Sequence, residues 1–129
     1  MPDWASDPVL GVRHLPTAVA YYTDVLGFSC PDGIFVPDAD EGGVYAIVER
    51  NNARIHLQIR RREINVSRES IEGDAYIYVD DAKALFAELE QQDGIRIHRR
   101  PVDSSYGLTD FVIEDVDGNR ITFGAETAG

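Results

Sequence analysis

Two runs of this chain decide its architecture: Val9-Leu10-Gly11-Val12 near the start and Ala75-Tyr76-Ile77-Tyr78-Val79 past the middle. Each is a short apolar run with strand character, and each leads into a pattern of helical period. A shift of 67 residues superposes Val12 on Val79, Ala18 on Leu85, Val19 on Phe86, Tyr22 on Leu89, Gly27 on Gly94 and Phe28 on Ile95. Self-similarity at a fixed period marks a repeated supersecondary unit. In the first copy Ala18, Val19, Tyr22, Val25 and Leu26 stand at i, i+1, i+4, i+7 and i+8, an apolar stripe of helical spacing. Leu85, Phe86 and Leu89 form the stripe of the second copy. Asp81 is expected to cap that helix by accepting an unpaired backbone N–H of its first turn. Gly27 and Gly94 are expected to end the two helices. His14 stands where Asp81 stands in the other copy and would cap poorly, so Thr17 or the fixed φ of Pro16 is expected to help start the first helix.

The second half of each unit repeats at a shift of 66. Tyr45-Ala46-Ile47-Val48-Glu49 matches Phe111-Val112-Ile113-Glu114-Asp115, and Ala53-Arg54-Ile55-His56-Leu57 matches Asn119-Arg120-Ile121-Thr122-Phe123. The turn-forming runs Arg50-Asn51-Asn52 and Val116-Asp117-Gly118 lie between them, so each pair reads as a β-hairpin. A shorter strand is expected before each hairpin, near Phe28 to Cys30 and near Ile95 to His98. The segments 31–43 and 101–107 read as loops, and 126–129 as a frayed tail. The fold class is therefore α+β. Two tandem βαβββ modules, about 7–60 and about 74–125, flank a charged linker at about 61–73.

A four-stranded sheet with one helix covers only one of its faces. Two such sheets are expected to curl around a cleft, with alternate residues of each strand facing the helix or the cleft. Ile55, Leu57, Ile121 and Phe123 suit the helix side. Arg54, His56, Gln58, Arg120 and Thr122 are then expected to line the cleft. A register slip of one residue would invert these assignments.

Composition narrows the function. With 129 residues, 43% of them hydrophobic, the chain is long enough for one domain with a real core. No apolar run approaches the roughly 20 residues that span a bilayer, so no membrane association is expected. The start of the chain has neither a basic patch nor an apolar stretch, which reads as cytoplasmic. Cys30 is the only cysteine, so neither an internal disulfide nor a cysteine-rich zinc site can form. A net charge of −11 repels nucleic acid and favours cationic ligands. Neither a Gly-rich phosphate loop nor a nucleophile elbow is present.

Three stretches together carry a resemblance. Pro8-Val9-Leu10-Gly11-Val12-Arg13, followed by Ala18-Val19-Ala20-Tyr21-Tyr22 and Leu26-Gly27-Phe28, resembles the opening of glyoxalase/bleomycin-resistance/dioxygenase (vicinal oxygen chelate) proteins. Tyr76-Ile77-Tyr78-Val79-Asp80-Asp81 looks like their mid-chain strand entering the second helix. Tyr106 to Phe111, then Asp115 to Gly124, is similar to their closing hairpin. In pattern the chain is most like the bleomycin-resistance members. The resemblance implies a homodimer of the vicinal-oxygen-chelate fold. It implies that the family's enzymes would hold a divalent metal at positions falling near Asp7, His56, Asp74 and Thr122. Thr122 stands where those enzymes usually carry glutamate, and a threonine hydroxyl is a poor ligand for the metals concerned. The expectation is a binder of a cationic or aromatic small molecule, with no metal, no cofactor and no catalytic residue. The alternative is a divalent-metal lyase, isomerase or dioxygenase, which requires Asp7, His56 and Asp74 to converge.

His56 is the leading candidate, as a hydrogen-bonding or acid/base group facing the cleft. Tyr45 and Phe111, repeat-equivalent at the shift of 66, read first as core and otherwise as cleft walls that stack on a ligand. Tyr106, in a Gly-bounded loop, is a candidate lid. His14 and His98 are expected to be structural or solvated. Trp4 is expected to dock on a second subunit. Asp38, Asp40 and Glu41 form an acidic loop that is solvated or lines the cleft mouth. Arg60-Arg61-Arg62 is too small a cluster to bind nucleic acid. The Asp115 to Gly118 run superficially suggests a calcium loop but fits a hairpin turn better.

Overall fold

The first strand, β1 (Val9–Val12), does not pair with the next strand in the chain but lies parallel to β4 (Ala53–Ile59). The computed structural model describes residues 4–37, 42–60 and 73–127. Within them the chain divides into two units, Met1–Arg62 and Glu63–Gly129, and each carries the order β, α, β, β, β. The acidic loop at Asp38, Asp40 and Glu41, the arginines Arg61 and Arg62 and most of the expected linker lie outside the described residues.

In the first unit α1 (Leu15–Ala20) follows β1, then β2 (Ile34–Phe35), β3 (Tyr45–Arg50) and β4, in the sheet order β1-β4-β3-β2. His14 is the cap residue of α1, and it caps weakly, as expected, with Thr17 beside it. Its Nδ1 accepts from the Thr17 backbone N–H at a long 3.4 Å and meets the Thr17 hydroxyl at 2.8 Å. The helix then widens into a π-turn, Tyr21–Val25, where the Leu26 N–H reaches back five residues to the Tyr21 carbonyl at 3.2 Å. The wider turn brings both Tyr21 and Tyr22 inward and leaves Val25 half-buried. Tyr22 meets Phe28 edge to face at 5.8 Å. Gly27 ends the helix at a φ of 77°, where a side chain would be strained. Leu15, Ala18, Tyr22 and Leu26 form one core with Leu10, Val12, Ala46, Val48, Ile55 and Leu57.

The strand expected near Phe28 to Cys30 is only a single bridge between Ser29 and Glu49. Pro31 and Gly33 turn the chain there, and β2 forms later, at Ile34 and Phe35, inside the segment read as loop.

The second unit is built from β5 (Ala75–Tyr78), α2 (Ala82–Glu90), β6 (Ile97–Asp103), β7 (Leu108–Glu114) and β8 (Arg120–Glu126), in the order β5-β8-β7-β6. Asp81 caps α2 as expected, its carboxylate accepting from the Ala84 N–H at 3.0 Å. Phe86 packs on Phe111 at 5.2 Å, and Phe111 stacks on Phe123 at 5.4 Å, so these rings identify the helix-covered face. β6 runs through Pro101 and shortens the expected loop to 104–107. The proline is tolerated because β6 is an edge strand whose register shifts on both sides of Arg99.

The expected helix-facing set, Ile55, Leu57, Ile121 and Phe123, is buried. The pairing corrects the expected repeat, however. Ile47 pairs with His56, whereas Val112 pairs with Thr122, so β3 and β7 correspond at a shift of 112 − 47 = 65. Tyr45 therefore corresponds to Asp110, not to Phe111. The first hairpin closes between Arg50 and Ala53 and the second between Glu114 and Arg120, and the longer second turn displaces the strand before it.

Candidate functional site

The helix-free face of the first sheet gathers polar groups in cross-strand rows. Val9, His56 and Ile47 form one row, and Gly11, Gln58 and Tyr45 the next. His56 lies between two partners. Its Nε2 is 3.1 Å from Asp7 Oδ2, and its Nδ1 is 2.6 Å from the Tyr45 hydroxyl. An ionised carboxylate only accepts, so the imidazole proton sits on Nε2 and points at Asp7. In the neutral imidazole Nδ1 then offers a lone pair, and the Tyr45 O–H donates to it. The chain Asp7–His56–Tyr45 thus leaves the Tyr45 oxygen as an acceptor toward anything that approaches. The two rings meet edge to face at 5.6 Å.

Arg54 stands beside this chain, its Nε 3.8 Å from Asp7 and 3.9 Å from Glu49. Both pairs are half-exposed, so they orient the carboxylates more than they stabilise the fold. Gln58 is exposed on the same face, and the Arg60 side chain crosses Gly11, where any Cβ would collide with it. Four expected residues, Tyr45, Arg54, His56 and Gln58, therefore share one face of the first sheet, with Asp7 among them.

The remaining candidates belong to the second unit. Thr122 is buried on the helix-free face, between Tyr76 and Val112 in the strand pairing. Arg120 pairs with Glu114, and its backbone N–H donates to Asp74 Oδ2 at 2.8 Å. Phe111 is fully buried against Phe86 of α2, which agrees with its first reading as core and corrects its placement among the ligand contacts. The reason is the one-residue displacement of β7 noted above. Tyr106 is 76% exposed in the turn between β6 and β7. His14 is the helix cap, His98 lies 3.6 Å from Glu114, and Trp4 is exposed.

Sequence reasoning missed a second cluster. Arg99 donates to Asp110 Oδ1 at 2.7 Å, and the Tyr76 hydroxyl donates to Asp110 Oδ2 at 3.0 Å. Burial first, then the Asp110 carboxylate, pushes the Tyr76 phenol up to about 12. The missed signal was the i, i+2 spacing of Tyr76 and Tyr78, which puts both rings on one face of a strand. Burial likewise raises the Cys30 thiol, which makes it less reactive.

The donors do not fit a divalent metal centre. Asp7 and His56 are bonded to each other, Asp74 holds the Arg120 N–H, and Thr122 offers only a hydroxyl. Among the described residues no three His, Cys, Asp or Glu side chains gather to hold an ion. The calcium-like run is a hairpin turn: Asp115 Oδ1 accepts the backbone N–H groups of Asp117 and Asn119 at 2.8 and 2.9 Å. Among the described residues no helix is long and apolar enough to cross a membrane.

Comparison with known proteins now adds to this geometry. The family model described as the glyoxalase/bleomycin resistance protein/dioxygenase superfamily matches residues 5–123. Comparison of the sequence with curated proteins finds no match. Among solved structures, the bleomycin-binding protein from bleomycin-producing Streptomyces verticillus, complexed with copper(II)-bleomycin, is 26% identical. That match covers 100% of this chain and 98% of the other, at a TM-score of 0.71. A glyoxalase-related enzyme from Clostridium phytofermentans is 18% identical over 98% and 97% of the two chains, at a TM-score of 0.76. TioX from Micromonospora sp. ML1 is 17% identical over 98% of each chain, at a TM-score of 0.68. The last two likenesses bear on the fold alone.

Proposed function

The chain belongs to the glyoxalase/bleomycin resistance protein/dioxygenase superfamily, and from that premise we propose that it is a small-molecule-binding protein acting without a catalytic metal. Its ligand is a cationic or aromatic organic molecule, and its working form is a homodimer in the cytoplasm. The observation that carries this reading is the Asp7–His56–Tyr45 chain on the helix-free face of the first sheet. Two of the side chains that a metal would need, Asp7 and His56, are hydrogen-bonded to each other, and the chain they form with Tyr45 presents a phenol oxygen. That oxygen, with Asp7 and Glu49 nearby, suits a ligand rich in N–H donors or positive charge. Gln58 and Arg54 supply further polar contacts on the same face, and Tyr106, Arg120 and Thr122 are the contacts proposed for the second unit. The neighbour bound to copper(II)-bleomycin supports a small organic ligand.

Calorimetric titration with copper(II)-bleomycin, beside native mass spectrometry with excess zinc, tests the reading. Saturable binding of bleomycin to a metal-free dimer is expected. His56→Ala and Tyr45→Phe should each weaken it about tenfold, the cost of one polar contact of about 1.4 kcal/mol. One zinc per chain, lost in His56→Ala, would instead establish the metal-enzyme alternative.

A further inference from the structure

The helix-free face of the second sheet carries an aromatic surface that the reading above does not use. β5 is an edge strand, and its register places Tyr76 beside Thr122 and Tyr78 beside Gly124. The neighbours Ala75 and Ile77 pair with Ile121 and Phe123 on the helix-covered side, so both tyrosines face away from α2. Tyr76 remains 42% exposed and Tyr78 75% exposed. Their ring centroids lie 5.0 Å apart at an angle of 51°.

The pair is held in place. The Tyr76 ring crosses β8 directly over Gly124, where a Cβ would land on the phenol. Its hydroxyl then reaches Asp110 on β7, which is buried and gripped from the other side by Arg99. A tyrosine fixed at its tip and lying over a glycine is a ready stacking surface, since little side-chain freedom is left to lose on binding. Tyr78 extends that surface outward. Tyr106 is close enough to bear electrostatically on the Tyr76 phenol, and it is also exposed.

The charged group in contact with the pair is Asp110, which is itself paired with Arg99. The chain as a whole carries −11. Aromatic faces are themselves negative at the ring centre and attract cations.

We propose that Tyr76 and Tyr78 form a stacking subsite for a planar, positively charged heteroaromatic ring. This deepens the reading of the protein as a small-molecule binder and rests on it. Tyr78 supplies the open ring, and Tyr76, locked by Asp110 and Gly124, sets its tilt.

N-methylquinolinium and quinoline are matched probes at pH 8, with nearly the same ring and different charge. Calorimetric titration at low salt should show the cation binding at least about tenfold tighter than the neutral ring. Tyr78→Ala should abolish that preference, while Tyr78→Phe, which keeps the ring, should retain it. Equal binding of the two probes, or an unchanged preference in Tyr78→Ala, would overturn the proposal. So would a Tyr78→Ala protein that turns monomeric in sedimentation with its quinolinium affinity intact, because the face would then be covered by a second copy. Copper(II)-bleomycin serves as the reference in the same experiment. Bleomycin binding with no quinolinium binding sinks the subsite alone, and loss of both sinks the binding function as well.

Discussion

Tyr76 ties a single side chain to a measurable pH dependence. Its phenol ionises at about 12 rather than at the ordinary 10, because burial and the facing Asp110 carboxylate both disfavour the anion. A raised folded-state value means that the neutral form is held more tightly in the native protein than in the unfolded chain. The contribution is whole below pH 10 and is lost as pH climbs toward 12. Denaturant midpoints measured from pH 9 to 12 should therefore fall more steeply for the native chain than for Tyr76→Phe. The difference absorbance of the two proteins near 295 nm should titrate about two units late; a midpoint at 10 would show that the Asp110 contact is not formed in solution. The same residue marks the limit of the sequence reading. His56 was legible because a lone polar group between Ile55 and Leu57 must face away from the core. Its partners were not: the Asp7 contact spans 49 positions, and the Tyr45 contact depends on a diagonal pairing that only register decides. The cleft-wall alternative for Phe111 failed for the same reason, since one residue of slip exchanges the two faces of a strand, while its first reading as core holds.

At the scale of elements, the two helix starts make a natural comparison. Asp81 accepts the Ala84 N–H at 3.0 Å with a full charge, whereas His14 holds the Thr17 N–H at only 3.4 Å. Asp81→Ala should cost about 1 kcal/mol and lower the melting temperature by roughly 4 °C. His14→Ala should cost less. Equal losses in thermal melts would show that the Thr17 hydroxyl contact makes His14 as good a cap as the aspartate. Both helices and both hairpins were legible, because stripes of helical period and turn residues at fixed offsets act locally; the parallel pairing of β1 with β4 and of β5 with β8 was not, because it joins distant strands. β2 was not, because a two-residue strand has no periodicity to read and forms only where β3 offers it an edge. The π-turn was equally silent in the sequence. It follows from the packing of two adjacent tyrosines, and no cap or breaker announces it. The start of β6 was read, but its extension was masked by Pro101, whose usual meaning as a breaker fails on an outer strand.

At the scale of the whole molecule, 23 acidic residues against 12 basic ones make the protein itself a field that a ligand must enter. Among the proposed contacts, the carboxylates, the phenol oxygen and the open tyrosine rings prefer positive charge, whereas Arg54 and Arg120 do not. At the carboxylates and rings, long-range and local terms therefore act in the same direction, and salt separates them. At about 10 mM salt the screening length is roughly 30 Å, comparable with the protein, and at about 1 M it is roughly 3 Å, so only contact pairs survive. For N-methylquinolinium the association rate should fall steeply over that range, because steering is a long-range effect. The dissociation rate should change far less, because stacking on Tyr78 is made at contact. Quinoline should show neither dependence. Stopped-flow fluorescence across a salt series reads both rates. A salt-insensitive association rate would mean that the acidic surface serves only to keep the chain in solution. Binding selectivity would then have to come from the rings and the Asp7–His56–Tyr45 chain alone.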